Sequence, residues 1–298
     1  MKNSANRHIA AGNRRRLIAA VLLAALLTAA AAGCGGLNGS GATVSFTDVS
    51  YGSAEAEVLD VMFTDDGVPK PLLLCVHGGS YTSGSRSDMS DALEMYAAEG
   101  LTVATIDYTL GPEATIAEQT RCVLDAAQYL CKNAQKYQID TARVVFMGVS
   151  SGAHLAARAA ESAVEQTGAG YTLAGLIDMA GPASLAYMLE NVPSTLSAYF
   201  LAHPEVFDGI ADGDVYTELA KVDVLENVTD RLPSVLIIHG DADTTVPIEV
   251  SALLYDALTA LGVSVEFNVV EGMSHTFNVS VVDPYVRAYL RALGLIDA

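Results

Sequence analysis

The sequence predicts an α/β fold class, a mostly parallel sheet covered by helices on both faces. Two observations predict it. Short apolar runs alternate with helix-like segments from Thr43 to Leu293, which is the pattern of a sheet buried on both sides. One of these runs, Arg143-Val144-Val145-Phe146-Met147, leads directly into Gly148-Val149-Ser150-Ser151-Gly152 and then a helix-like stretch. A G-x-S-x-G string between strand and helix marks a sharp turn that presents a serine above the sheet. A serine hydroxyl is a poor nucleophile unless a base activates it. A histidine, an acid and backbone donors are therefore expected at other strand ends, where such folds bind ligands.

The elements follow in chain order. Thr43 to Val49 alternates apolar and polar residues and reads as a strand. Glu57 to Phe63 reads as a second, and Pro71 to Val76 as a buried one ending at His77-Gly78-Gly79. Asp88 to Glu99 has a helical pattern that Gly100 closes. Thr102 to Asp107 reads as a strand, and Ile116 to Tyr137 as one long helix. Arg143 to Met147 is the strand before the serine, and Ser151 to Gln166 the helix after it. Strands follow at Leu173 to Met179, Ser234 to His239 and Ser264 to Val270, with helices at Val250 to Leu261 and Val282 to Leu293. Between Gly181 and Leu232 the alternation breaks. Tyr187, Met188, Leu189, Tyr199, Phe200, Leu201 and Phe207 bring apolar bulk, while Pro193 and Pro204 interrupt any long helix. Residues 181–232 read either as a small cap over the sheet edge or as surface helices packed on the core.

The chemistry gathers at the strand ends. His239-Gly240-Asp241-Ala242-Asp243 follows one strand, and Glu271-Gly272-Met273-Ser274-His275 follows the last. An acid can hold a histidine in the right tautomer, and the histidine can take the serine proton. The order Ser150, Asp243, His275 places each group on the loop after a strand. Backbone N–H groups must face the developing oxyanion; Gly78, Gly79 and Ser151 are the candidates. Tyr81 and Tyr108 read either as pocket wall or as core tyrosines. His77, His239 and His154 read as structural, and His203 as a surface residue.

With these residues in place, the chain resembles α/β-hydrolases of the carboxylesterase type, near the hormone-sensitive-lipase-like and feruloyl-esterase-like (BD-FAE) groups. The resemblance runs from about Val49 to Leu295. It rests on Tyr51-Gly52, Leu59-Asp60-Val61, His77-Gly78-Gly79, Asp107-Tyr108, Gly148 to Gly152, His239 to Pro247, and His275. It implies that Asp243, not Asp241, is the triad acid, and that no cofactor or metal is needed. Two departures stand out. Ser80 replaces a third glycine, and Thr109 stands where the family usually carries an arginine, which removes an expected structural ion pair, with Asp125 as the acid of the following helix.

The amino terminus reads differently from the domain. Lys2, Arg7, Arg14, Arg15 and Arg16 precede an apolar run of sixteen residues, Leu17 to Ala32. That is short for a membrane span and suits a signal peptide. It ends Ala31-Ala32-Gly33-Cys34, which resembles the cleavage site of bacterial lipoproteins, with Cys34 as the lipidated residue. Residues 1–33 are thus expected to be a lipoprotein signal, 34–42 a flexible tether and 43–298 the hydrolase domain. Ordinary secretion, an uncleaved anchor and twin-arginine export through Arg14 to Arg16 are the alternatives. The expected location is outside the cytoplasm on a bacterial membrane, or secreted if Cys34 is not lipidated.

The chain has 16 basic and 35 acidic residues, a formal charge of −19. All five basic residues of the signal lie before Cys34, so the remainder carries −24. Nucleic acid is excluded as a partner, because phosphate binding needs a basic face; contact with a membrane is expected through the lipid alone. Cys75, Cys122 and Cys131 form no disulfide framework. Cys122 and Cys131 are about 13.5 Å apart along one helix, and no Cys/His spacing suggests zinc.

The expected function is a serine carboxylesterase for short-chain acyl or aryl-acyl esters, small or glycan-linked. A prolyl-oligopeptidase-like peptidase is disfavoured by the lack of propeller repeats. An arylformamidase-type amidase and a catalytically silent surface binding lipoprotein complete the alternatives.

Overall fold

The computed structural model describes residues 41–191, 215–276 and 279–297. The expected signal, Cys34 and most of the tether lie outside the described residues, as do His203 and the middle of 181–232.

An eight-stranded sheet forms the centre, in the order β1-β2-β4-β3-β5-β6-β7-β8. Its strands are β1 (Ala42–Ser50), β2 (Val58–Asp65), β3 (Lys70–Val76), β4 (Thr102–Ile106), β5 (Ile139–Val149), β6 (Leu173–Met179), β7 (Ser234–Gly240) and β8 (Val265–Val270). β2 runs antiparallel to both β1 and β4, and β4 through β8 are parallel. β3 and β4 are buried along their whole length, as strands covered on both faces must be. This is the α/β-hydrolase fold that the sequence predicts.

The helices are α1 (Ser90–Ala97), α2 (Ile116–Lys132), α3 (Ala134–Tyr137), α4 (Ser151–Glu165), α5 (Leu185–Asn191), α6 (Val215–Val222), α7 (Ile248–Ala260) and α8 (Val279–Ala292). Strand parity divides the core in two. Leu72, Leu74, Val76, Phe146, Leu176 and Ile237 face α2, α4 and α7. Leu73, Cys75, Val145, Met147, Met179 and Ile238 face α1 and α8.

Two boundaries differ from expectation. The helix expected at Asp88 to Glu99 opens with a 3-10 turn at Arg86–Met89 before α1. The long helix expected over 116–137 breaks at Asn133, whose side-chain amide donates to the Tyr129 carbonyl. Its start is fixed by a reciprocal cap between Thr115 and Glu118.

In the described parts of 181–232, Leu185, Met188, Leu219, Val222 and Val224 are buried in the core on the α2–α4 side. Asp223 fastens the two ends together, accepting from the Ser184 hydroxyl and the Leu185 N–H at 3.1 and 2.9 Å. Cys75, Cys122 and Cys131 are all free and buried.

Candidate active site

Ser150 sits between β5 and α4 with φ 54° and ψ −126°. A non-glycine residue rarely adopts this conformation and needs strong support. The support is close packing of α4 against the end of β3: a Cβ on Gly152 would stand 2.3 Å from the carbonyl oxygens of Val76 and His77. The Ser150 N–H still pairs with β6, donating to the Met179 carbonyl at 2.8 Å. The sheet thus delivers Ser150 to its carboxyl edge, and the turn lifts the hydroxyl out.

Two loops bring the partners. Asp241 and Asp243 follow β7, and His275 follows β8. The loops are tied by the Gly272 N–H donating to Asp241 Oδ1 at 2.6 Å and by the Ala242 N–H donating to the Met273 carbonyl at 3.1 Å. His275 then bridges the site. Its Nε2 lies 2.9 Å from Ser150 Oγ and its Nδ1 lies 2.6 Å from Asp243 Oδ2. Asp241 fastens the loop and Asp243 holds the imidazole, so the two neighbouring acids do different work.

Asp243 is strongly organised. Its Oδ1 accepts the N–H groups of Thr245 and Val246 at 2.8 and 3.0 Å. Its Oδ2 meets a second imidazole, His239 Nε2, at 3.2 Å. The same His239 nitrogen donates to the Val246 carbonyl at 2.9 Å, and the Ser251 hydroxyl lies 2.7 Å from Nδ1. Burial pushes the Asp243 carboxyl up, but hydrogen bonds from His239, His275 and Val246 outweigh it and hold the group well below the usual carboxylate range.

The oxyanion candidates are set by their peptide planes. Tyr108 donates its hydroxyl to the His77 carbonyl at 3.0 Å, and His77 Nδ1 bonds the Gly78 carbonyl at 2.7 Å. A trans peptide points its N–H opposite to its C=O. The N–H groups of Gly78 and Gly79 therefore point away from Tyr108 and the His77 ring, and both glycines line the cavity that holds Ser150. A Cβ on Gly78 would meet the Val149 carbonyl at 2.8 Å and Ser150 Cβ at 3.1 Å, so only glycine lets this loop approach the serine. The Ser151 N–H opens α4 and has no acceptor within the helix.

The cavity has a volume of about 580 Å³. Its walls include Ser80, Asp88, Met89, Tyr96, Met179 and Val286. Of the two readings of Tyr81 and Tyr108, core packing holds and the pocket wall does not. Both are buried on the other side of the oxyanion loop. Tyr108 stacks on His77 with ring centroids 4.4 Å apart. Tyr81 packs edge-on to His154 and receives a Gln119 amide bond on its carbonyl. Tyr108 continues the parity of Ile106 toward α2 and α4, away from the cavity.

With this geometry established, the chain matches the BD-FAE family model over residues 59–258. The chain belongs to the BD-FAE family. The matched span includes Ser150 and Asp243 and stops short of His275, whose place rests on the geometry above. Among curated relatives, it is 25% identical to a probable isoprenylcysteine alpha-carbonyl methylesterase of Arabidopsis thaliana over 76% of this chain and 50% of that protein. It is 26% identical to Esterase LipC of Mycobacterium tuberculosis, covering 77% of this chain and 59% of the other. The chain thus spans half to three fifths of the length of these relatives. A truncated carbohydrate esterase from gut microbiota superposes with a TM-score of 0.70 at 24% identity, covering 84% of this chain and 96% of that one. Esterase B of Lactobacillus rhamnosis also superposes at 0.70, with 18% identity and 85% of each chain covered.

Three features of this BD-FAE chain escape sequence reading. His239, read as a structural strand-end residue, reaches Asp243 in particular. Arg86, in the turn before α1, gathers three acids: its backbone N–H donates to Asp107 at 2.6 Å and its guanidinium pairs with Asp107, Asp48 and Asp60. His154 and Arg158 of α4 hold the carbonyls of Val222 and Lys221 at 2.9 and 3.0 Å, capping α6. Among the described residues, no group of His, Cys, Asp and Glu could hold a metal ion, and no helix is long and apolar enough to cross a membrane.

Proposed function

We propose that this protein is a serine carboxylesterase that cleaves short-chain acyl or aryl-acyl esters through an acyl-enzyme on Ser150. The continuous row from Ser150 Oγ to His275 Nε2 at 2.9 Å and from His275 Nδ1 to Asp243 at 2.6 Å carries this reading. The ester-cleaving activities named for its relatives agree with it.

In this reading, Ser150 Oγ attacks the ester carbonyl carbon while its proton passes to His275 Nε2. The carbonyl electron pair moves onto oxygen, which accepts the N–H groups of Gly78, Gly79 and Ser151. Asp243, already ionised, stabilises the imidazolium. The tetrahedral centre collapses, the alkoxide leaves with the proton held by His275, and the acyl group stays on Ser150. A water then gives its proton to His275 and attacks the acyl carbon. Collapse frees the carboxylic acid and returns the proton to Ser150.

The location belongs to the same proposal. The basic and apolar segment before Cys34 supports export and a lipid anchor at Cys34, with the acidic domain held off the bilayer by its tether. In a bacterial host, wild type is expected in the membrane fraction and Cys34→Ser in the soluble extracytoplasmic fraction. Equal fractionation of the two would remove the anchor.

The catalytic reading is tested on p-nitrophenyl esters with Ser150→Ala alongside. A fall on the order of a millionfold in kcat is expected. Equal activity in both proteins would eliminate Ser150. Preferential cleavage of an anilide or a prolyl peptide would move the reading to an amidase or a peptidase.

A further inference from the structure

The cavity beside Ser150 has two unlike ends. Ser80, Ser83, Asp88, Asp91 and Thr245 form an exposed polar mouth near His275. Ala92, Tyr96, Met147, Met179, Val282 and Val286 are buried and form an inner end. Element direction explains the gradient. α1 leaves the oxyanion loop and runs back along the sheet, so Tyr96 lies roughly 10 Å further in than Met89 along the axis. α8 leaves the His275 loop in the same sense, and Val286 lies about 6 Å beyond Val282. Met147 precedes Val149 on β5, about 7 Å from that end of the strand.

We propose that the acyl group of the substrate, an apolar chain, lies between α1 and α8, and that Tyr96 closes this pocket and sets the longest chain accepted. The inference rests on the serine-esterase reading and adds the substrate's orientation to it. The acyl group remains on Ser150 through the second half of the reaction. The alcohol must leave, and water must reach His275 in its place. The enclosed apolar end suits the retained group, and the open polar mouth suits the departing one.

Tyr96 is fixed as an end wall. Its hydroxyl lies beside Asp283, which accepts Arg287 Nε at 2.9 and 2.8 Å on its two oxygens. Arg287 also pairs with Glu99 and sits over the Tyr96 ring, its guanidinium carbon 5.8 Å from the centroid. A ring held by both helices does not swing aside for a longer chain. Removing the ring extends the pocket, and filling the space opposite shortens it.

The experiment compares wild type, Tyr96→Ala and Val286→Phe on two substrate series. One varies the acyl chain from acetate to decanoate with p-nitrophenol constant. The other keeps acetate and varies the alcohol. Tyr96→Ala is expected to raise the decanoate-to-acetate ratio of kcat/KM at least tenfold. Val286→Phe is expected to lower the octanoate-to-acetate ratio by a similar factor, since one methylene in such a pocket changes rates by about 10-fold or more. Neither variant is expected to change the ranking of alcohols. An unchanged acyl profile in the folded variants overturns the proposal, as does a change confined to the alcohol series. If Tyr96→Ala fails to fold, Val286→Phe decides alone; should the larger ring not fit at this buried wall, Val286→Leu takes its place and the octanoate-to-acetate ratio is read in the same way. Absence of any ester hydrolysis by wild type, with Ser150 unlabelled by a fluorophosphonate, removes the esterase reading and this one with it. Hydrolysis with an unmoved acyl profile removes this one alone.

Discussion

The two faces of the sheet are built from similar apolar residues and end up with opposite duties. The face toward α2, α4 and α7 is sealed among the described residues: Tyr81, Tyr108, Phe146 and Leu155 are buried there. The face toward α1 and α8 opens at its upper end into the cavity beside Ser150. The difference teaches where rate and preference are separately stored. The sealed face holds the backbone that presents Ser150 and the oxyanion donors. In the proposed reading the open face meets the substrate. Substitutions on the first are expected to scale all substrates together, and substitutions on the second to change their ratios.

The polar row lies along the edge where the faces meet, and it gives the largest expected effect. His275→Ala is expected to lower kcat on the order of 10⁴-fold or more, equally for acetate and octanoate. A loss concentrated on one chain length would show that His275 shapes the pocket as well as moving the proton. Gly78→Ala comes next. Its added Cβ would meet the Val149 carbonyl at 2.8 Å, and displacing an oxyanion donor costs about 10² to 10³ in kcat. Retained activity would place the oxyanion donors elsewhere.

The juxtaposition of Ser150, His275 and Asp243 was legible in the sequence because all three sit at strand ends and the strands are short, apolar and regularly spaced. The chain order Ser150, Asp243, His275 then follows from strand order. The pocket was not legible, because its walls come from α1 and α8, nearly two hundred residues apart in sequence, and only the fold brings Tyr96 beside Val286. The choice between pocket and core for Tyr81 and Tyr108 stays open in the sequence for a related reason. Their nearness to Gly79 and to β4 is visible in the sequence, but the side of the loop on which they point is set by parity and by a φ of 67° at Tyr81. The roles of Arg86 and His239 were hidden as well. Arg86 takes up Asp107 from a loop with no regular period, and His239 reaches Asp243 across a turn whose shape depends on Val246 and Ser251.

Tyr108→Phe tests the sealed face at a smaller scale. The ring stays to stack on His77, but the hydroxyl that holds the His77 carbonyl is lost. If that bond aims the Gly78 N–H, kcat is expected to fall about tenfold with KM unchanged on every chain length, a fraction of the effect of losing an oxyanion donor outright. Unfolding free energy is expected to fall by about 1 to 3 kcal/mol, because the carbonyl stays buried. A stability loss with kcat intact would make Tyr108 a packing residue only. A change in the octanoate-to-acetate ratio would break the division between the two faces.

The smallest effect concerns pH and the seal itself. His154 is fully buried, and desolvation, aided by the nearby Arg158 charge, pushes its imidazole down to about 3, against the hydrogen bond to the Val222 carbonyl. The unfolded chain binds this proton near pH 6.5. A group depressed in the folded state contributes its full stability above the unfolded value and loses it as pH falls toward the folded one. From pH 7 to pH 5 this group alone is expected to remove on the order of 2 kcal/mol. Two buried carboxyls act in the opposite sense. Burial raises Asp178 to about 6 and Glu161 to about 8, so both favour the fold more strongly as pH falls. They are common to wild type and His154→Phe, so the difference between the two proteins isolates the imidazole. His154→Phe is expected to be less stable at pH 7, because the Val222 carbonyl loses its donor, and to lose less on going to pH 5. Urea unfolding at both pH values measures this. Parallel pH slopes in the two proteins would mean that water reaches His154 at the α4–α6 contact, and the α2–α4 face would then be less tightly closed than its packing indicates.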